Sequence, residues 1–337
     1  MSFSYTVFKG SPTEDIVEAT TERAALSRNE VHIATTHSGV CGTDLFMRRR
    51  DMVLGHEGVG VVKAVGPEVR LLKIGDRVGW GHTTDSCGVC DKCRAGLYSG
   101  CPDPSMYSTS SFDTGTFSTG VVVREPYLFR IPDQMKSADA APMMCAGITV
   151  WDVLTQNGCK ATDCVGVVGV GGLGHLAIQF AAKLGCQVVA FSGTAAKEED
   201  AMALGAAHFV ATKDQTELQL PRKVNHLIIT GLSMPDWDLF LPVMETGCTI
   251  YPLLATPASA VFSLPHMPFS WQSIRIVYGQ GSTATNCDQM LQFAAFHGIK
   301  PVIEKFPLTK DGVAESMDKL KEGKIRYRAV LYGEGEG

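Results

Sequence analysis

Val165-Gly166-Val167-Val168-Gly169-Val170-Gly171-Gly172-Leu173-Gly174-His175 is the stretch whose reading decides the fold. Its first five residues form an apolar run of the length of a buried strand, and His175 to Leu184 reads as a helix. Between them stand glycines in the order G-x-G-x-x-G. In a strand–loop–helix context each glycine has its own use. The first permits the tight turn, the second lets backbone approach a pyrophosphate, and the third lets helix and strand pack closely. The helix then turns its unpaired N–H groups and positive dipole end toward the phosphates. The alternative is a glycine-rich buried turn that holds no ligand.

Working outward, the alternation continues. Gln187–Phe191 reads as a strand and Ala195–Leu204 as a helix, and His226–Thr230, Thr249–Leu254 and Ile274–Tyr278 read as further strands. Strands that alternate with helices imply right-handed βαβ units and a doubly wound parallel sheet. Upstream the texture differs. Short Val-rich runs such as Gly58–Val62 and Gly120–Val123, broken by Gly and Pro, predict an irregular β domain. After Gly281 come two helices, Cys287–His297 and near Gly312–Glu322, and a last strand, Tyr327–Leu331. The expected division is residues 1–144 with 280–337 as one domain and 145–279 as the dinucleotide-binding domain, an α/β chain overall.

The 337 residues suffice for about two domains, each with its own core. Thirty Lys and Arg against 35 Asp and Glu leave a net charge of −5, which argues against a nucleic-acid partner. The one basic run, Arg48-Arg49-Arg50, reads as a solvated loop. No uninterrupted apolar run reaches the roughly 18 residues of a membrane span, and Met1–Thr6 lacks the basic-then-apolar order of a signal peptide. Eleven cysteines, clustered as they are, point to reduced thiols and metal ligands in a cytoplasmic protein.

The strongest local signal is Cys87-x2-Cys90-x2-Cys93-x7-Cys101. Four thiolates in 15 residues suit a closed tetrahedral Zn²⁺ site with no open position, and Gly88, Gly96, Gly100 and Pro102 supply the turns. Its role is structural, because metal binding folds a lobe with almost no apolar core; a disulfide pair is the rival. A second group is scattered: Cys41, His56 with Glu57, and Cys145. Taken singly, each reads as a buried Cys or a satisfied core His. Two thiolates and an imidazole would instead leave a fourth position open, as in a catalytic zinc site.

The strand after the glycine loop ends Phe191-Ser192-Gly193-Thr194-Ala195-Ala196-Lys197, with no carboxylate before Glu198. An NAD site places an acid there, which would repel a 2′-phosphate; two hydroxyls and an ammonium attract one. NADP(H) is therefore favoured over NAD(H). Ser192 and Thr194 serving only as caps for the following helix is the open alternative.

With these residues assembled, the sequence resembles the zinc-dependent medium-chain dehydrogenase/reductases, in the cinnamyl alcohol dehydrogenase-like branch. The likeness runs through Gly39–Asp44, Gly55-His56-Glu57, the four-Cys lobe, Ala141–Thr149, Gly169–Gly174, His297–Pro301 and Ile325–Arg328. It implies a GroES-like β-barrel domain and a Rossmann domain. Cys41, His56 and Cys145 would hold a catalytic zinc and Cys87, Cys90, Cys93 and Cys101 a structural one, two Zn²⁺ per chain. Asp44 would orient the ligand imidazole, Glu57 would approach the metal during ligand exchange, and Thr43 would bond the substrate oxygen. Gly169, Gly171, Gly172, Leu173 and Gly174 would cradle the pyrophosphate, and Ser192, Thr194 and Lys197 the 2′-phosphate. The implied activity is interconversion of an aldehyde or ketone with its alcohol, by a homodimer that takes small-molecule substrates.

Two departures stand out. Relatives usually carry a His three positions after Thr43, completing a proton relay, and here that position is Phe46. The segment between Cys41 and His56 is also shorter than usual, which implies a wider pocket entrance. The altered relay keeps a second reading open: reduction of an activated C=C or C=N bond. Met47, Trp80, Met106, Phe112 and Trp271 either shape an apolar pocket or are ordinary core.

Overall fold

A computed structural model of the chain describes residues 2–231, 233–256, 259–279 and 283–336. The expected start of the tail, residues 280 and 281, lies outside that range. Two compact units emerge, residues 1–148 with 280–337 and residues 149–279.

The first unit is built on a long strand, Glu30–Val40, whose alternate residues Val31, Ile33, Thr35 and His37 turn inward with the period of two expected of a pleated strand. It pairs antiparallel with Gly58–Val65, Gly120–Arg124 and Arg328–Tyr332. Arg77–Trp80 and Phe129–Arg130 extend one side of the sheet and Ile303–Pro307 the other. Val31, Ile33, Val62, Val78, Trp80, Val121 and Val123 fill one core layer. Gly58 is required there: a Cβ would stand 2.4 Å from the Trp80 ring. Trp80 is thus core, and Met47 packs against the neighbouring cluster around Leu54 and Phe117. The tail helix Lys310–Lys321 starts at Thr309, whose hydroxyl accepts the Gly312 N–H at 3.2 Å, and buries Val313 and Met317 on its inner face.

The basic run is a turn with Arg49 and Arg50 exposed, as expected, but Arg48 departs from a solvated loop. Arg48 is buried, its guanidinium 2.5 Å from Asp318 and bonded to the Glu14 carbonyl, while Arg49 pairs with Glu14 and Arg50 donates to the Ser108 carbonyl. Runs of like charge carry no information about the acids that the tail will bring beside them.

The second unit is one six-stranded parallel sheet. In space the order is His208–Ala211, Gln187–Ser192, Cys164–Val168, Val224–Ile229, Met244–Pro252, Arg275–Ile276. The chain works outward from Cys164–Val168 to one edge, then returns to fill the other side, which is the Rossmann order. Both faces of the central strands are covered, so Val165, Val167, Val188, Val189, Leu227 and Ile228 are fully buried. Ala195–Leu204, expected as one helix, divides into a 3₁₀ turn, Ala195–Lys197, and a helix, Glu198–Ala203. The strand expected at Ile274–Tyr278 pairs only over Arg275–Ile276, at the sheet edge. His208–Ala211 has no alternating burial and escaped the pattern entirely. Among the described residues no helix is long and apolar enough to cross a membrane.

Leu227 lies wholly inside the parallel-sheet core. Leu227→Ala is expected to destabilise the second unit by about 2–5 kcal/mol, the range for a buried leucine truncated to a methyl group. The midpoint of its urea transition gives the measurement; a shift within error would mean that this core is not close-packed.

Candidate active site and metal centres

Helix Gly42–Met47 begins at Cys41 because Asp44, at its third position, turns its carboxylate back to accept the Cys41 N–H at 2.8 Å. The other oxygen of Asp44 accepts from His56 Nδ1 at 3.0 Å and from the Tyr107 hydroxyl at 2.7 Å. His56 also stacks on the Tyr107 ring, centroids 4.8 Å apart, and the Tyr107 oxygen accepts the Gly55 N–H. With Nδ1 committed to Asp44, the imidazole has only Nε2 to offer a ligand. Ligand atoms of Cys41, His56, Glu57 and Cys145 all lie within 4.8 Å of one another.

Electrostatics follow from that enclosure. Burial opposes a charge on His56, but the Asp44 carboxylate and the Cys41 sulfur outweigh it and hold the imidazole pKa well above its ordinary value. The Cys145 thiol, bonding to the Cys41 sulfur, draws Cys41 well below the usual thiol range. Glu57 is pushed up to about 7 by burial, against the pull of the Arg328 guanidinium. One Glu57 oxygen accepts from Arg328; the other, Oε2, is buried with no hydrogen-bond partner. Two sulfurs, one imidazole nitrogen and an orphaned carboxylate oxygen make a donor set that fits zinc. Thr43 stands beside it, its Oγ1 3.9 Å from the Cys41 sulfur, while Phe46, one turn further on, is 41% exposed and carries no proton.

The four-Cys lobe is brought together as well, with ligand atoms of Cys87, Cys90, Cys93 and Cys101 within the same 4.8 Å limit. Cys90 caps the short helix Asp91–Arg94, Gly88 and Gly96 take the left-handed conformation that the turns require, and all eleven cysteines are unpaired. The N–H groups of Val89 and Cys90 bring the Cys87 thiol down to about 6, which favours the thiolate that a metal takes.

In the second unit the glycine loop has the geometry its spacing implies. Gly169 is at φ +97°. A Cβ on Gly174 would lie 1.8 Å from the Gly169 carbonyl oxygen, whereas one on Gly171 would meet nothing within 4 Å, so backbone is open to a ligand there. Lys197 reaches back over the loop, its Nζ donating to the Val170 carbonyl at 2.7 Å. Thr194 stands at the N-cap of the 3₁₀ turn but makes no capping bond with its side chain, and Ser192 ends its strand half-buried. Phe112 and Trp271 are largely exposed, Trp271 at 76%.

Residues 27–133 match the alcohol dehydrogenase GroES-like domain and residues 172–231 the zinc-binding dehydrogenase family. The chain is 34% identical over 335 residues to the probable formaldehyde dehydrogenase AdhA of Bacillus subtilis, covering 93% of each. The chain belongs to the zinc-dependent alcohol dehydrogenase family. It is also 32% identical to NADP-dependent alcohol dehydrogenase C 1 of Mycolicibacterium smegmatis, over 95% of each chain. Among solved structures, cinnamyl alcohol dehydrogenase SbCAD4 of Sorghum bicolor superposes with a TM-score of 0.87 at 27% identity, over 98% of both chains. Family membership, in the cinnamyl alcohol dehydrogenase-like branch, makes the chain an oxidoreductase acting on CH–OH and C=O groups with zinc and NADP, and favours that reading over C=C or C=N reduction.

In the two units, the roles of three residues escaped the sequence reading. Tyr107 is remote in sequence from both groups it holds, and nothing marked it. Arg328 did leave a signal, a lone guanidinium opening the apolar strand Arg328–Tyr332, and it is buried against Glu57. Thr230, at the end of a central strand, puts its hydroxyl 2.8 Å from the Gly169 carbonyl and so braces the first glycine. Gly39, where the likeness begins, has its reason here: a Cβ would stand 1.9 Å from Glu57 Oε2.

Glu57→Gln leaves the buried Arg328 without its counter-charge and is expected to cost about 3–5 kcal/mol, with Arg328→Met in the same chain returning part of the loss. Urea midpoints of the single and double variants measure it. Equal stability of Glu57→Gln and wild type would show that Arg328 does not depend on this acid.

Proposed function

We propose that the protein is an NADPH-preferring, zinc-dependent reductase of aldehydes or ketones, running in reverse as an alcohol dehydrogenase. The observation that carries this reading is the convergence of Cys41, His56, Cys145 and Glu57 around Asp44-oriented His56. Cys41, Cys145 and His56 Nε2 would hold one zinc, and Cys87, Cys90, Cys93 and Cys101 a second with no open position. When bound, the first zinc polarises a carbonyl oxygen or acidifies an alcohol, and the dinucleotide carries the hydride.

The chain's own residues do the rest. Asp44 fixes the His56 tautomer and ring plane. Thr43, in the first turn of the helix, hydrogen-bonds the substrate oxygen and gives or takes its proton. Phe46 offers no continuation, so that proton leaves through water or the cofactor ribose. Glu57, whose carboxylate lies among the donor atoms, would screen their charge while ligands exchange. Gly169, Gly171, Gly172, Leu173 and Gly174 carry the pyrophosphate, with helix Gly174–Lys183 turning its N-terminus toward it. Ser192, Thr194 and Lys197 receive the 2′-phosphate; the reach of Lys197 to Val170 and the unbonded cap at Thr194 support this over a capping role. A cytoplasmic homodimer joined at the Arg275–Ile276 edge completes the proposal, since that edge strand has one free side in the described sheet.

His56→Ala and Cys41→Ser are each expected to abolish carbonyl reduction, while fluorescence titration with NADPH gives an unchanged dissociation constant. Undiminished turnover in a variant verified to lack that metal would reject the zinc mechanism. Lys197→Ala is expected to raise KM for NADPH about 10–100-fold, as for loss of one charge-assisted hydrogen bond, and to leave KM for NADH within twofold (about the scatter of such assays). Equal changes for the two cofactors would remove Lys197 from the phosphate site.

A further inference from the structure

A third group of soft donors stands at the amino-terminal ends of the parallel strands, at the opposite edge of that sheet from the glycine loop. Cys159 and Asp163 lie in the segment that enters Cys164–Val168, Cys186 immediately precedes Gln187–Ser192, and His226 is the third residue of Val224–Ile229. These strands are neighbours in the sheet, with Val165 in register with His226. Ligand atoms of Cys159, Asp163 and His226 lie within 4.8 Å of one another. Cys186 is outside that close set, but its sulfur is 3.6 Å from that of Cys159 and would swing in as the fourth donor.

We propose that Cys159, Cys186, Asp163 and His226 form a site for a third divalent cation of the zinc class, one with a structural role. Two of the separations match a tetrahedron's edges. Bonds of about 2.3 Å to sulfur place two thiolates about 3.8 Å apart, and bonds of about 2.0–2.1 Å place nitrogen and oxygen about 3.3–3.4 Å apart. The Cys159–Cys186 sulfurs are 3.6 Å apart, and His226 Nε2 and Asp163 Oδ2 3.2 Å.

The surroundings hold each donor in place. His226 Nδ1 bonds the Tyr251 hydroxyl at 3.0 Å, which commits that nitrogen; Nε2 bonds Asp163 Oδ2 and would exchange that bond for the ion. Asp163 Oδ2 accepts the Lys160 N–H at 2.8 Å, and its backbone carbonyl accepts the Gln187 N–H, so the carboxylate is set by the strands on either side. A carboxylate has lone pairs for both the amide and the ion. Cys186 donates to the Lys160 carbonyl at 3.4 Å in the thiol form; as a thiolate it would give up that bond to the ion. Gly185, whose Cβ would stand 3.1 Å from the Ala161 methyl, lets the two loops approach this closely. Two thiolates, an imidazole and a carboxylate fill four positions, so the ion would clip three strand entries together and leave no corner for substrate.

Zinc content and thiol alkylation of the full chain test the site without reference to turnover. Wild type, purified with zinc and dialysed, is expected to carry one equivalent more than His226→Ala and than Cys159→Ser, each shown folded by near-UV circular dichroism. In wild type, iodoacetamide labelling of half-buried Cys159, read peptide by peptide, should accelerate about tenfold on chelation and slow again on zinc addition. Cys164 and Cys248, buried in the core of the same unit, report unfolding. Equal zinc content in wild type and folded variants overturns the proposal. So does a Cys159 rate that ignores chelation or rises only in step with Cys164 and Cys248. Isolation of a Cys159–Cys186 disulfide in place of the extra zinc overturns it too, and would make the pair a redox couple. Because labelling is read at Cys159 itself, none of these outcomes depends on how Cys41 or Cys87 behaves.

Discussion

One buried carboxylate organises the catalytic half of this dehydrogenase. Asp44 has no exposed surface, and an unpaired charge there would cost several kcal/mol. It is tolerated because three donors from three segments meet it: the Cys41 amide of its own helix, the His56 imidazole leading into the next strand, and the Tyr107 hydroxyl after the strand Pro104–Met106. Each such bond to a charged acceptor contributes about 1.5–3 kcal/mol, and together they outweigh desolvation. The consequence for chemistry is that His56 is fixed in ring plane, tautomer and position by groups that are not metal ligands. The donor set therefore exists before an ion arrives, and the ion need not supply the energy that assembles it.

The four-Cys lobe works the other way. Its cysteines are held mainly by turns of its own backbone, Val89 at its tip is 69% exposed, and Tyr98 packing on Tyr127 is its principal apolar anchor to the sheet. There is little hydrophobic burial to offset the ordering of its backbone. A metal in such a lobe acts as its core, and folding and binding are one event. Cysteines would thus serve two physical ends: at Cys41 and Cys145 the fold presents donors, and in the lobe Cys87, Cys90, Cys93 and Cys101 would complete the fold around an ion.

How much of this was legible depends on the range over which each signal acts. The glycine loop and the four-Cys lobe are local, each carried within fewer than about 20 residues by backbone demands that other residue types would violate, so their positions stood in the sequence. Cys41, His56 and Cys145 were legible only as members of a family pattern, because singly each is an ordinary core residue. Tyr107 was out of reach, and so was the pairing of Arg328, although the likeness ran through that residue. Their partners Asp44 and Glu57 lie 63 and 271 residues away along the chain, and no periodicity encodes such pairings. The misread Arg48 has the same cause, since Asp318 lies 270 residues off. The edge strand His208–Ala211 failed for a different reason: all four of its residues are half-buried, so no alternation marks it.

The Glu57–Arg328 pair shows what such a long-range contact does for the site. A lone buried Glu beside two thiolates would be driven to its neutral form by burial and by their negative charge together. Arg328 opposes both without cancelling them, since burial still holds Glu57 at about 7, and it engages only one oxygen. Gly39 leaves the volume in which the other oxygen sits, and any side chain there would expel it. The strand Glu30–Val40 that ends beside Cys41, and the strand that opens with Arg328, are hydrogen-bonded partners in the sheet, Val40 facing Ala329. The carboxylate is thus set by sheet register. A slip of one residue would turn Arg328 to the other face and leave the acid uncompensated. For this reason the charge balance around the donor set is as much a property of the tail's pairing with the long strand as of the residues that would touch the metal.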